Sequence, residues 1–387
     1  MDLTIQLKDI FRSIAMCDKC GVCTFVTTDN TPRTVCPMYE YDKSFVFQPN
    51  GLMFTARALV QGTEEYDQSV AEFVFSCADC GACDAKCVPV PYPKPHVHPT
   101  EIIKIMRRDA IDKGLIPKGL MEAIAKAVDE DGDLLSKAAP EMPEGVVSEE
   151  ADTVLYAECF HSPAQVGIYE SAGRLLRKMG KKVSLFFDGG CCGSSLYDFG
   201  FWNKLPKLVQ SKWEQMEKSK DKSFLFINPH CQEFMVKEYP RIIPGFKNVK
   251  TSHFSEFLAE ALKEGTLKGK EAGKVKAAYH DPCALGRGLG IYDAPRAVLT
   301  SLSGVELREM NGNKDASFCC GSRALGKYHP EFSKETAKRG IERFNQTGAD
   351  ILITACPYCK QAFQGALPDE DKKKVMDLIE FVEERTA

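Results

Sequence analysis

Apolar positions recur at helical spacing over residues 52–62, 65–76 and 100–128, so the first 130 residues predict short helices. From residue 151 the pattern changes. Runs rich in β-branched and aromatic residues at 153–157, 182–187, 223–228, 275–280 and 350–354 predict strands. Helical patterns at 164–179, 202–218, 292–303 and 331–346 separate them. Such alternation favours an α/β layer with a largely parallel sheet. Residues 88–99 (VPVPYPKPHVHP) are too proline-rich for a regular helix or a central strand. Residues 131–150, acidic and carrying Pro140, Pro143 and Gly145, read as a linker.

The second half reads as a duplication. Cys192 and Asn228 are separated by 35 residues, as are Cys320 and Cys356, and FINPHC (226–231) lines up with TACPYC (354–359). Each strand-like run delivers these residues near its C-terminal end, where open α/β sheets place ligands. The expected organisation is a helical domain over 1–130, a linker over 131–150, and two related modules over 151–270 and 271–387.

Composition narrows the function. Hydrophobic residues make up 44% and charged residues 27% of the 387, which excludes wholesale disorder. A net charge of −4 gives no basic footprint for nucleic acid. No apolar run reaches the roughly 18 residues of a membrane span, and the N-terminus has no secretory pattern, so a cytoplasmic protein is expected, meeting a membrane only through a partner. The count that departs from the ordinary is 17 cysteines. An odd number without an export signal argues against a disulfide framework and for metal.

These cysteines fall into groups: Cys17, Cys20, Cys23 and Cys36; Cys77, Cys80, Cys83 and Cys87; Cys159, Cys191, Cys192 and Cys231; and Cys283, Cys319, Cys320, Cys356 and Cys359. Three equally spaced thiolates on one loop suit three corners of an iron–sulfur cube better than a zinc site, which takes two per loop. The spacing resembles the bacterial ferredoxin run, whose fourth ligand crosses over from the other motif. Two [4Fe–4S] cubes are therefore expected, one on Cys17, Cys20, Cys23 and Cys87 and one on Cys77, Cys80, Cys83 and Cys36; paired zinc knuckles are the alternative. Two departures stand out: 12 residues between Cys23 and Cys36, where the compact motif has three, and Val88 between Cys87 and Pro89. Gly21 and Gly81 lie inside the loops, where backbone passes close to the metal group or simply turns.

In the last group, adjacent Cys319 and Cys320 are poorly placed for a structural disulfide. Five cysteines exceed both a tetrahedral zinc and a simple cube, pointing to an unusual cluster with a bridging thiolate. Together CDKCGVC (17–23), CADCGACDAKC (77–87), GGCCG (189–193), HDPCALGR (280–287), FCCGS (318–322) and ACPYC (355–359) resemble the CCG-domain iron–sulfur proteins. That family includes the B-type and D-type heterodisulfide reductase proteins and the iron–sulfur subunits of glycolate, lactate and anaerobic glycerol-3-phosphate dehydrogenases. The order of motifs is similar to the D-type heterodisulfide reductase protein, a fusion of the C-type and B-type architectures. The resemblance covers nearly the whole chain. It implies an α+β multidomain fold, with a helical dicluster ferredoxin-like domain followed by two duplicated α/β CCG modules.

The resemblance also implies a noncubane [4Fe–4S] cluster on Cys283, Cys319, Cys320, Cys356 and Cys359, at which a disulfide of the type joining coenzymes M and B is reduced. Partners implied are redox subunits (a flavoprotein, a membrane cytochrome b or a hydrogenase-type donor) and a disulfide or thiol small molecule. The alternative is an electron relay with the chemistry in a partner, as for a flavin-linked glycolate or lactate dehydrogenase or an anaerobic benzoyl-CoA reductase-type complex. The first module departs from the pattern, because Asn228 stands where the second has Cys356. Its Cys159, Cys191, Cys192 and Cys231 leave zinc, a further cluster or no metal open. Ala284 follows Cys283 where relatives often carry His, so a proton-donor role there does not carry over.

Among other residues, His280 is the candidate proton donor beside the last group; His161 and His230 lie near cysteines but rank lower. Arg287, Arg323 and Lys360 flank the same group, where solvated side chains are the default expectation. Gly286-x-Gly288-x-Gly290 lacks the third glycine of a dinucleotide loop, so neither flavin nor nucleotide is assigned. Trp202 and Trp213 read as core, and Lys372–Lys374 as a solvated face.

Overall fold

The computed structural model describes residues 3–28, 31–87, 97–125, 139–157, 163–323 and 329–387. Cys159, His161, residues 88–96 of the proline-rich stretch and residues 131–138 of the linker lie outside them.

The N-terminal part is helical, as its pattern predicts. Helices Pro49–Gln61, Gln68–Phe75 and Pro99–Asp112 carry it. Pro99, within the stretch read as non-helical, opens the last of these from its first turn, where a missing N–H costs nothing. The apolar pattern over 100–128 is two helices. The first stops at Asp112, Gly114 takes a left-handed φ of 74°, and a second helix runs from Leu120 to Ala125. The excess of residues between Cys23 and Cys36 is a hairpin, β1 (Phe25–Thr28) paired antiparallel with β2 (Thr31–Thr34).

Two four-stranded parallel sheets follow. The first orders β3 (Thr153–Tyr156), β4 (Ser184–Phe186), β5 (Ser223–Phe226) and β6 (Lys250–His253) as β4-β3-β5-β6. The second orders β7 (Val275–His280), β8 (Val305–Glu309), β9 (Ile351–Thr354) and β10 (Val375–Asp377) as β8-β7-β9-β10. Corresponding strands take corresponding places, so the duplication read from cysteine spacing is a duplication of topology. The strands without a sequence signal, β6, β8 and β10, all lie at sheet edges. An edge strand needs less apolar surface, and KTSH or VELRE has little to give.

These parts share cores. Ile102, Ile105 and Met106 of the N-terminal helix pack in one cluster with Phe199, Phe201 and Trp202 and with Phe224 and Phe226 of β5. Gly200, at φ +85°, is required by this approach: a Cβ there would lie 2.5 Å from the Arg108 backbone nitrogen. A second cluster joins the modules through Ile168, Leu175, Leu225, Leu258, Leu299, Ile353 and Val382. Trp202 and Trp213 are buried, as expected.

Candidate functional site

Each ferredoxin-like loop has the same backbone. Lys19 and Asp79, the third residues of CDKC and CADC, both take left-handed φ values of 59° and 51°, and Gly21 and Gly81 follow at 72° and 70°. Two non-glycine residues held in that region signal a built site. The turn aims amide hydrogens inward: the Asp79 N–H donates to Cys77 Sγ at 3.4 Å, and that of Lys19 favours the Cys17 thiolate.

The fold brings Cys87 near Cys23, and Cys36 near Cys77 and Cys80. Burial and then the neighbouring Cys17, Cys87 and Cys20 push the Cys23 thiol up to about 12. Cys36, raised chiefly by burial, feels Cys80 and Cys77. Cys36, Cys77, Cys80 and Cys83 line a single enclosed, largely apolar cavity with Pro37, Met38 and Leu52. The two sets adjoin, since Cys83 feels Cys23 as well as Cys77 and Cys80. Among the described residues, which include all eight of these cysteines, the one group of three donors within 4.8 Å is elsewhere. Sulfurs around a single zinc sit about 3.8 Å apart, given bonds of ~2.3 Å. The donor set and its wider spacing fit a cube better than paired zinc knuckles.

That tight group is His280, Cys320 and Cys359, all buried in the second module. Cys320 Sγ lies 3.2 Å from Cys359 Sγ. The Cys319 thiol adjoins those of Cys283, Cys320 and Cys80, and that of Cys359 adjoins Cys320 and Cys356. All five cysteines of the last group thus form one connected patch at the C-terminal ends of β7 and β9. The CCG glycine has a physical reason: Gly321 sits at φ +83° and a Cβ would meet Thr336 Cβ at 2.8 Å. Its N–H donates to Cys319 Sγ at 3.3 Å. Gly193 repeats this in the first module at φ +94°, donating to Cys191 Sγ at 3.3 Å.

The first module's Cys191, Cys192 and Cys231 gather around the Tyr239 hydroxyl, whose pKa burial and then these neighbours raise. That hydroxyl donates to the Cys192 carbonyl at 2.9 Å. Asn228 keeps the place of Cys356 but has another task. It caps helix Pro229–Ile242, accepting the His230 N–H on Oδ1 at 3.0 Å, whereas Cys356 opens helix Pro357–Gly365 without a side-chain cap.

His230, ranked low from sequence, packs against Tyr358 of the second module. Burial opposes its charge, but hydrogen bonds to Cys283 and Cys356 raise it to about 10. Cys356, raised by burial, is brought down to about 6 by Cys359 and His230. His230 and Tyr358 hold equivalent positions in NPHC and CPYC, and their rings meet at 5.4 Å.

The flanking cations are not solvated. Arg323 is buried and pairs with Glu233 at 2.8 Å, Asp198 at 2.9 Å and Asp79 at 3.6 Å, joining all three parts of the chain. Lys104 completes the cluster, 3.2 Å from Asp79 and 3.5 Å from Asp198. Asp79, raised by burial against the pull of Lys104, rises to about 6. Arg287 donates to the carbonyls of Cys80 at 2.8 Å and Ser317 at 2.7 Å. Lys360 pairs with Glu380 at 2.6 Å. Only Asp79 could have been suspected from sequence, by its match to Lys19; ion pairs across three domains leave no local signal. The glycines of the 286–290 stretch are explained by packing: a Cβ at Gly286 would meet the Tyr292 ring, and one at Gly288 the Glu233 carboxylate, each at 2.5 Å.

A cavity of about 350 Å³ opens onto this junction. Cys80 and Cys283 line it, with Lys104, Glu233, Arg287 and Arg323.

Residues 13–89 match the 4Fe–4S dicluster domain, and residues 154–235 and 277–364 match the CCG cysteine-rich domain. The chain belongs to the CCG-domain iron–sulfur proteins, with a dicluster [4Fe–4S] domain preceding two CCG repeats. Within that class it is similar to the D components of heterodisulfide reductases. It is 27% identical to the D component of the dihydromethanophenazine:CoB–CoM heterodisulfide reductase of Methanosarcina mazei, over 96% of this chain and 92% of that one. Similarity extends to the EtfAB:quinone oxidoreductase of Syntrophomonas wolfei, at 29% over 82% of this chain but 47% of that protein. It extends also to the B component of the fumarate reductase (CoM/CoB) of Methanothermobacter marburgensis, at 27% over 81% of this chain and 62% of that one. A crystal structure of a hypothetical protein from Helicobacter pylori shares the fold, with a TM-score of 0.56 and 12% identity over 87% of this chain and 67% of that one. The chain is an iron–sulfur electron-transfer subunit related to these proteins. Among the described residues, no helix is long and apolar enough to cross a membrane.

Proposed function

We propose that this chain is the disulfide-reducing subunit of an anaerobic redox complex. A small-molecule disulfide takes up two electrons and two protons and leaves as two thiols. The electrons come from a partner subunit: a flavoprotein, a membrane cytochrome b or a hydrogenase-type donor. Cys17, Cys20, Cys23 and Cys87 would hold one [4Fe–4S] cube, and Cys36, Cys77, Cys80 and Cys83 the other. Cys283, Cys319, Cys320, Cys356 and Cys359 would hold a noncubane cluster. When bound, these groups supply one-electron chemistry, and the last also offers iron to a sulfur ligand.

The observation that carries the reading is the Arg287 bridge, which donates to the Cys80 carbonyl and to the Ser317 carbonyl just before Cys319, beside a cavity lined by Cys80 and Cys283. It supports a short path from the ferredoxin-like domain to a place where a small molecule fits. Arg287 and Arg323 stand beside the thiolates and offset their charge. His280, within 4.8 Å of Cys320 and Cys359, is placed to hold a proton for a departing thiolate. Protein purified under nitrogen is oxidised, given a thiol, and followed by electron paramagnetic resonance with metal analysis. A paramagnetic signal that appears only with thiol is expected; signals from reduced cubes alone, unmoved by thiol, would overturn it.

Asn228 favours a second reading. If disulfide cleavage requires two complete CCG sets, the first set's missing thiolate leaves this chain a relay for a partner's chemistry. The same experiment separates the two.

A further inference from the structure

We infer that the first ferredoxin-like loop, with the turn Phe45–Phe47 beside it, is the docking surface for the electron donor, and that this donor is a protein whose own contact face is apolar and near neutral. The inference rests on the reading that Cys17, Cys20, Cys23 and Cys87 hold an iron–sulfur cube.

The two loops share a backbone but not an environment. In the second, Ala78 and Ala82 are buried, and a Cβ on Gly81 would meet Arg287 of the last module at 4.0 Å. The same places in the first loop carry Asp18 and Val22, and both are exposed. Cys20 is the one exposed cysteine of the eight in this part, whereas its counterpart Cys80 is half-buried with its carbonyl held by Arg287. One loop therefore faces the last module, and the other faces outward.

Apolar surface gathers at that opening. Phe45 at 78%, Val46 at 56% and Phe54 at 48% exposure join Val22 at 56%, four of the eight large hydrophobics that stand exposed among the described residues. Exposed apolar residues scattered singly need no account, but a group beside a redox site does. Loop and turn both rest on the start of helix Pro49–Gln61. Asn50 Nδ2 donates to the Lys19 carbonyl at 3.3 Å, Lys19 Nζ lies 4.3 Å from the centre of the Phe54 ring, and a Cβ on Gly51 would run into the Val46 carbonyl oxygen. The turn is preset: Ser44 Oγ accepts the Val46 N–H at 3.4 Å, and Asp42 accepts the Ser44 N–H at 2.9 Å. Little ordering is left to lose when a partner binds.

The surroundings say what covers this surface. Its charges are of both signs, Asp18 and Lys19 in the loop and Asp42 and Lys43 before the turn, so no single-signed field selects a charged face. A second copy of this chain seated there would bury Cys20 against an identical acceptor and shut the exposed edge. An electron donor uses that edge: one electron leaves the donor's reduced group and enters the site behind Cys20, with no bond made or broken and no proton taken up.

The full-length chain with p-benzoylphenylalanine in place of Phe45 is purified under nitrogen, mixed with membrane and soluble fractions of its own cells and illuminated, and the captured protein is identified by mass spectrometry. That protein is then purified, reduced and mixed in a stopped-flow instrument with wild type, Phe45→Asp, Val46→Asp and Val236→Asp. It is expected to carry a flavin, haem or iron–sulfur group and to reduce the wild type. It should reduce Phe45→Asp and Val46→Asp at least about tenfold more slowly, the scale of losing a central interface residue. Wild-type rates should change less than about threefold between roughly 50 and 500 mM salt, because an apolar contact is not screened. Signals of the dithionite-reduced ferredoxin-like sites should match in all four proteins, and Val236→Asp, an exposed apolar residue on helix Pro229–Ile242, should behave as wild type. Capture of a second copy, of lipid, of a protein without a redox group or of nothing overturns the inference. So do equal rates in the Phe45→Asp and Val46→Asp proteins, an equal loss in Val236→Asp, or a steep fall of the rate with salt. The capture needs only the near-wild-type chain, so it decides the matter even where a charged variant does not fold. A wild type without iron or any dithionite-reduced signal would instead refute the underlying reading of a cube.

Discussion

The thiols of Cys80 in the second ferredoxin-like loop and Cys319 in the second CCG motif lie against each other across the boundary between the N-terminal part and the last module. That contact lowers the Cys80 pKa despite its burial. It is clamped from the side by Arg287, which donates to the Cys80 carbonyl at 2.8 Å and the Ser317 carbonyl at 2.7 Å. One guanidinium therefore ties the cysteine loop to the segment just before FCCGS.

Arg287→Met should separate the two thiols and leave buried carbonyls without donors. Hydrogen bonds from a charged donor contribute about 1.5–3 kcal/mol each, so for the two bonds a stability loss of roughly 3–6 kcal/mol is expected in anaerobic urea denaturation. Electron delivery to the second CCG site should slow, read by stopped-flow after mixing with a reduced donor. Arg287→Lys keeps the charge but not the planar fork and should recover only part of either quantity. Equal rates and stabilities in the wild type and Arg287→Met would refute the clamp.

Cys320 lies within the second CCG patch, 3.2 Å from Cys359 Sγ and 3.2 Å from Ser322 Oγ. Cys320→Ser should abolish the unusual signal of the second module while the reduced ferredoxin-type signals survive. Iron per chain falls with it. Spectra identical to the wild type would remove Cys320 from the ligand set.

How much of this is legible in the sequence depends on whether the signal is local. The proximity of Cys87 to Cys23 and of Cys36 to Cys77 and Cys80 is legible because three equally spaced cysteines on one loop leave a fourth ligand to come from the other. Central strands such as Phe224–Phe226 and Ile351–Ile353 announce themselves because both faces are covered and the run must be apolar. The edge strand Lys250–His253 does not, since its outer side is exposed. Sequence undervalues His230 because its ring partner, Tyr358, belongs to the other repeat. Arg323 reads as solvated because nothing near it in the chain says that Asp79, Asp198 and Glu233 converge on it.

That convergence has an energetic consequence. Arg323→Met would leave Asp198 with Lys104 and Glu233 with Lys237 as their remaining cations, and breaking a buried pair from one side typically costs about 3–5 kcal/mol. Asp198, whose own burial is outweighed by Arg323 and Lys104, is held below the usual carboxylate range and should bear most of the loss. Adding Asp198→Asn to Arg323→Met should restore part of the stability, because the uncompensated charge is gone. The test is a double-mutant cycle by chemical denaturation; strictly additive losses would show that the two side chains are not coupled.

His253 gives the fold a defined acid limb. It caps helix Phe254–Glu264, with Nδ1 accepting the Ser255 N–H at 3.2 Å, as Asp377 caps the equivalent helix Leu378–Glu384. Burial pulls its pKa from 6.5 down to about 4, only partly opposed by its contact with the Ile227 carbonyl. Between those values the unfolded chain binds a proton that the folded chain does not, so stability is full above 6.5 and is lost as pH falls towards 4. With about 1.4 kcal/mol per unit, that contribution is on the order of 3 kcal/mol. His253→Asn keeps a capping acceptor and removes the titration. Its stability between pH 6.5 and 5, measured by urea denaturation under nitrogen, should fall less steeply than that of the wild type by about one proton's worth, ~1.4 kcal/mol per pH unit. Parallel slopes for the two proteins would mean that His253 is not the group that titrates on unfolding.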